Sequence, residues 1–205
     1  MNTDSNEVHQ PANFEGIEKF STAMDALHPI LSECRVIKSA KELEVMRYVC
    51  KVSSHAHVEV MRHCATARPQ REYELESVFL HDVYKNGGCR HVSYTCICAS
   101  GHHSSTLHYG HSGAPNSGPV EGSHILLMDM GAEYHCYGAD ITCSFPANGV
   151  FTEQQKGIYN IVLKAQLAVF HEIKPSVSWP KMHRVAGIIF FFFFQFIQTC
   201  LFNLI

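Results

Sequence analysis

Apolar residues recur at spacings of three or four through Leu43, Met46, Val49, Val52, Ala56 and Val60, while Lys41, Arg47, Lys51 and Glu59 fall off that stripe. This period predicts an amphipathic helix. Ser39 and Glu42 stand at its start in an S-x-x-E pattern, in which each side chain satisfies a backbone donor of the other. The pattern fades near Ala65, and Arg68-Pro69 closes the segment. A second helix is predicted over 72–85, with Tyr73, Val78, Phe79, Leu80 and Val83 as its apolar positions. Asn86-Gly87-Gly88 ends it, because these residues tolerate a left-handed C-cap. A third begins at Thr152-Glu153-Gln154-Gln155, again a capping box. It presents Ile158, Ile161, Val162, Ala165, Ala168 and Val169, and stops before Lys174-Pro175, where proline disfavours helix in its predecessor.

Between the helices the pattern shortens. Residues 92–99 are rich in strand formers. Residues 125–133 and 134–146 read as two strands of a hairpin. A long polar loop, 100–123, carries His102, His103, His108 and His111; loops of this length in compact domains are often functional. Residues 1–33 lack periodicity and read as a lead-in strand or linker. From Gly187 the sequence is GIIFFFFFQFIQTCLFNLI, which fits neither a strand with turns nor an amphipathic helix.

Composition narrows the class. With 205 residues, 46% apolar and 17% charged, the chain reads as globular, one domain or slightly more. A net charge of −3 gives no nucleic-acid footprint. The cysteine number is odd, nine, and the first ten residues have no basic, apolar signal pattern, so a reducing, cytoplasmic compartment is expected. Cys96 and Cys98 alternate along a strand and share a face; a buried thiol pair is the simple expectation.

Asp129, in Leu-Met-Asp-Met-Gly, and Asp140, in Gly-Ala-Asp-Ile-Thr, lie eleven residues apart in apolar strand contexts. A hairpin brings such positions together. Strands disfavour Asp, and two neighbouring carboxylates repel. No Lys or Arg lies in either strand. A pair of divalent cations would offset the charge; the alternative is that one Asp caps a turn or faces solvent. In His108-Tyr109-Gly110-His111 an exposed imidazole could donate to a developing oxyanion. Zinc binding by the clustered loop histidines and a purely solvated loop are the competing readings.

The stretches HPILSECRVIKSAKELEVMRY, EYELESVF, SYTCICASG, LHYGHSGAPN, LLMDMGAEYHCYGADITCSFPANG and KPSVSWPKMHR resemble the prolidase family of pita-bread metallopeptidases over residues 1–186. The resemblance implies an α+β fold: the N-terminal half of a pita-bread domain, an antiparallel sheet with helices on one face. It divides the chain into a lead-in (1–33), a partial peptidase domain (34–186) and a tail foreign to the family (187–205). It implies hydrolysis of the bond before a C-terminal proline in Xaa-Pro dipeptides, by a water activated at two divalent ions, most commonly Mn2+. Asp129 and Asp140 match metal ligands, Asp140 the bridging one. His108 matches the histidine that contacts substrate near the reacting carbonyl, and Tyr94 a tyrosine beside the metals. Family members are typically cytosolic homodimers.

Three departures accompany the match. Most of the N-terminal domain of the family is missing. The later His and two Glu ligands have no counterpart. Ser176 stands where the family usually has Gly. The expectation is a chain that is inactive alone and marginally folded. Two other readings stand beside the peptidase one: a non-catalytic partner that pairs with a full-length enzyme, and a membrane protein anchored through residues 187–205. That tail has nearly the ~20 residues a helical span needs, but Gln195, Gln198 and Asn203 interrupt it. An aminopeptidase specificity is the nearest enzymatic alternative.

Overall fold

The computed structural model describes residues 12–23, 26–67, 71–110 and 115–202, with side chains through Phe191. Its elements run α1 (Leu27–Val36), α2 (Ala40–Ala67), α3 (Glu72–Gly87), β1 (His91–Val92), β2 (Ile97–Ser100), β3 (Ile125–Asp129), β4 (Ala132–Tyr134), β5 (Tyr137–Gly138), β6 (Thr142–Pro146), α4 (Glu153–Glu172) and α5 (Trp179–Phe202).

The capping signals are realised. Ser39 N–H donates to Glu42 at 2.6 Å and Glu42 N–H to Ser39 Oγ at 3.3 Å. Thr152 and Gln155 form the reciprocal pair that opens α4. Gly88 ends α3 with φ +63°, its N–H returning to the carbonyls of Tyr84 and Val83.

All six strands are antiparallel, in two short sheets ordered β1-β4-β5 and β2-β3-β6. The predicted hairpin is present, but each arm is broken so that one part joins each sheet. Its turn passes through His135 and Cys136, both with positive φ. Along β3 burial alternates, with Leu126 and Met128 buried and Ile125, Leu127 and Asp129 half-buried. The period of two sends the first set toward α2 and α3 and leaves Asp129 on the opposite face. Val49, Val60, Leu75, Phe79, Leu126, Met128 and Met130 share one core with the buried Cys96 and Cys98. Each fully buried large apolar side chain contributes about 1.5–3 kcal/mol. The expected architecture, an antiparallel sheet with helices on one face, is what forms.

Three expectations are corrected. The strand expected over 92–99 is two strands in different sheets, interrupted at residues 93–96. Ser93 Oγ sits between the carbonyls of Ala132 (2.9 Å) and Ala139 (2.6 Å), which turns the chain there. The lead-in, expected as a strand or linker, contains the helix α1, and Pro29 is accommodated in its first turn. The tail is helical, since α5 runs unbroken from Trp179 to Phe202. It packs against α4 and is tied to it by Lys181–Glu172 at 2.8 Å. Pro180 sits in its first turn and no later proline interrupts it. Among the described residues no helix is long and apolar enough to cross a membrane.

Candidate active site

The break between β1 and β2 positions the first site residue. By stapling 93 to the hairpin, the chain lowers Tyr94 onto the open face of the sheet. Its hydroxyl donates to the Asp129 carboxylate and lies 3.2 Å from Asp140 Oδ1. Asp129 comes from the end of β3, and Asp140 follows β5 on the other arm of the hairpin. Met130 N–H donates to Ile141 O at 3.0 Å, which locks the arms in register beside the acids. The expected approach of Asp129 and Asp140 therefore occurs, and one phenol reaches both.

Tyr94 is held protonated. Burial pushes its pKa far above the ordinary value of 10.0, and its bond to Asp129 and the charges of Asp129 and Asp140 push it further. It can donate to the acids but not share their charge. Among the described residues neither acid forms an ion pair with Lys or Arg.

A cavity of about 780 Å³ opens above the pair. Tyr94, Ile97, His108, Tyr109, Asp129 and Asp140 line it. His108 is exposed, with φ +53°. His111 lies outside the described residues. His103 faces elsewhere, toward Glu72, and His102 packs on His103 with ring centres 4.4 Å apart.

Glu72 was legible only as the acidic first residue of a helix. It is fully buried and accepts four hydrogen bonds: from Ser100 N–H (2.8 Å) and His103 Nδ1–H (3.0 Å) at Oε1, and from Tyr109 hydroxyl (2.9 Å) and Gly118 N–H (2.9 Å) at Oε2. Tyr109 is pushed up to about 12, by burial first and then by this bond. One turn along α3, Glu76 accepts from Asn116 Nδ2 at 2.7 Å. Asn116 is buried, and bonds the backbone of both Cys96 and Cys98 at 2.9 Å. No local sequence signal marks Glu72 or Asn116, because their partners lie 18 to 46 residues away.

Oδ1 of Asp129 and Oδ1 of Asp140 converge on one phenol oxygen at the cavity floor, and such hard oxygens suit Mg2+-like or Mn2+-like ions. Among the described residues no group of three or more His, Cys, Asp or Glu side chains converges. The residues fit one side of a metal site.

A family profile described as "Metallopeptidase family M24" matches residues 44–190. The chain is 54% identical over 186 residues to the Xaa-Pro dipeptidases of Homo sapiens and Mus musculus, covering 91% of this chain and 37% of each relative. It thus spans little more than a third of their length. Among solved structures, a putative aminopeptidase P from Bacillus anthracis superposes with a TM-score of 0.76 at 32% identity, over 83% of this chain and 39% of that one. Aminopeptidase PepP of Pseudomonas aeruginosa gives 0.73 at 37% identity, over 80% and 36%. The pita-bread architecture expected from the sequence is confirmed by these neighbours. With the fold and a profile match over most of its length in agreement, the chain belongs to metallopeptidase family M24.

Proposed function

We propose that this chain builds one side of a metal-dependent site that cleaves the bond before proline in Xaa-Pro dipeptides. The observation that carries the proposal is the convergence of Asp129 and Asp140 on Tyr94 beneath a cavity with His108 on its rim. Asp129 and Asp140 would hold divalent ions, with Mn2+ the expected metal and two the expected number. When bound, such ions supply Lewis-acid polarisation of a carbonyl and an activated water. The chain's own residues do the rest. Tyr94 orients the Asp129 carboxylate by donating to it. His108 is exposed to the cavity and can donate to the oxygen of a reacting carbonyl. Cys96, Ile97 and Tyr109 give that cavity an apolar wall suited to a proline ring.

The 205-residue polypeptide alone is expected not to turn over Gly-Pro, because Asp129 and Asp140 supply too few ligands for two metals. Calorimetric titration of Mn2+ into the chain, beside Asp140→Ala, tests the metal assignment. Binding that disappears in the variant supports it; equal heats in both would refute it. Gly-Pro turnover by the metal-loaded chain would refute the inactivity.

A second copy or a longer relative as partner is favoured by the apolar side chains exposed on α4, among them Ile158, Val162 and Phe170; sedimentation of the chain alone, then mixed with a full-length relative, tests it. A cytosolic location is supported by the eight described cysteines, all free and four of them buried.

A further inference from the structure

Four donors on one buried carboxylate, with no Lys or Arg among them, is an arrangement with a purpose beyond starting a helix. Glu72 sits at the first position of α3, where the helix dipole favours a negative charge. Its four bonds reach the beginning of the loop (Ser100 and His103), its middle (Tyr109) and its end (Gly118). Its own N–H donates to Gly118 O at 3.0 Å, closing a two-way link. Gly118 is kept small by this contact: a Cβ there would lie 2.8 Å from the Glu72 carboxyl carbon and 2.7 Å from the His103 ring. The His103 ring stacks on Tyr109 at 4.4 Å with the planes 15° apart. His108 immediately precedes Tyr109, is exposed, and adopts a left-handed backbone. Its place at the cavity is set by what holds Tyr109.

We propose that Glu72 is a positioning residue for the candidate site, holding His108 at the cavity rim through Tyr109. This rests on the reading of His108 as the substrate-facing histidine. The chemistry requires a carboxylate. Two oxygens each accept two donors here, whereas an amide has one acceptor oxygen and turns two N–H groups of its own toward existing donors.

The test compares the whole chain with Glu72→Gln and Tyr109→Phe, by backbone amide exchange and by NMR of the His108 ring Cε1–H. Glu72→Gln should speed exchange across 100–110 and 115–118 about tenfold or more, the equivalent of roughly one lost hydrogen bond, while α2 amides exchange as before. Tyr109→Phe, which keeps the other three bonds, should shift and broaden the His108 signal and leave the Ser100 and Gly118 amides protected. Uniformly faster exchange in Glu72→Gln would show a merely stabilising acid. An unchanged His108 signal in Tyr109→Phe would overturn the link. Neither readout needs metal or substrate, so equal Mn2+ heats in the parent chain and Asp140→Ala would count against the peptidase reading and leave the positioning role to be decided by exchange and NMR.

Discussion

Gly131→Ala should be among the most damaging single-methyl additions to this chain. An alanine Cβ at 131 would lie 1.8 Å from the carbonyl oxygen of Ala139 and 2.5 Å from its carbon. Real Cβ atoms essentially never approach closer than 3.0 Å, so the two arms of the hairpin must part by about 1.2 Å. The obstacle is backbone and cannot rotate away. Three bonds span the same place: Ala139 N–H to Ala132 O at 2.9 Å, Met130 N–H to Ile141 O at 3.0 Å, and Ser93 Oγ to Ala139 O at 2.6 Å. Such a retreat carries them beyond hydrogen-bond length. At about 1 kcal/mol each, with about 1–3 kcal/mol for overpacking, the cost is roughly 4–6 kcal/mol. That is a large part of the ~5–15 kcal/mol that holds a domain folded. Urea unfolding followed by circular dichroism should show the midpoint lowered by about 2–3 M, taking a slope near 2 kcal/mol per M. A midpoint within about 0.3 M of the parent would refute the reasoning, since it would mean that the hairpin opens freely where Asp129 and Asp140 meet.

Three further outcomes are expected. Gly88→Ala meets no atom within 4 Å but must hold φ +63°, so it should cost about 1 kcal/mol from backbone conformation alone, measurable as a small drop in the same midpoint. Tyr94→Phe strips the donor from both carboxylates and should cost about 1–2 kcal/mol, a loss that shrinks when unfolding is repeated in high salt. His57 is buried, its Nε2–H donating to Met130 O at 2.9 Å, and desolvation holds its pKa below the ordinary 6.5. The unfolded chain therefore takes up this proton first as pH falls, so the stability linked to His57 is full above about pH 6.5 and declines below it. Unfolding midpoints of parent and His57→Gln across pH 5–8 should differ in slope in that direction.

The helices were readable because their signals are local. A period of three to four, a capping pair three residues apart and a glycine after the last turn all lie within one short window. The Asp129–Asp140 approach was readable for a related reason, since a hairpin brings near neighbours together. What escaped the sequence depends on distant partners. Nothing in Ser-Tyr-Thr-Cys says that Ser93 will bond two carbonyls 39 and 46 residues away and split a strand. Nothing in Glu-Tyr-Glu-Leu says that Glu72 will be wholly buried. The tail misled because a run of Phe has neither period nor breaker, so no local signal marked the helix that runs through it. Asp129, Asp140 and His108 were candidates from spacing and chemistry before the resemblance gave them roles, whereas Tyr94 came from the resemblance alone, and its reach to both acids is geometry that only the fold supplies.

The hairpin also bears on the order of events in folding. Its arms are linked through a tight turn, so they can close within microseconds, whereas Tyr94 must arrive from 35 residues away. Asp129 and Asp140 are thus expected to meet first as two bare negative charges, and the phenol proton joins them only when the segment before β2 docks. Closure is then held back by repulsion that counterions can relieve. Refolding followed by stopped flow should accelerate with added salt in the parent chain and lose that dependence in Asp140→Asn.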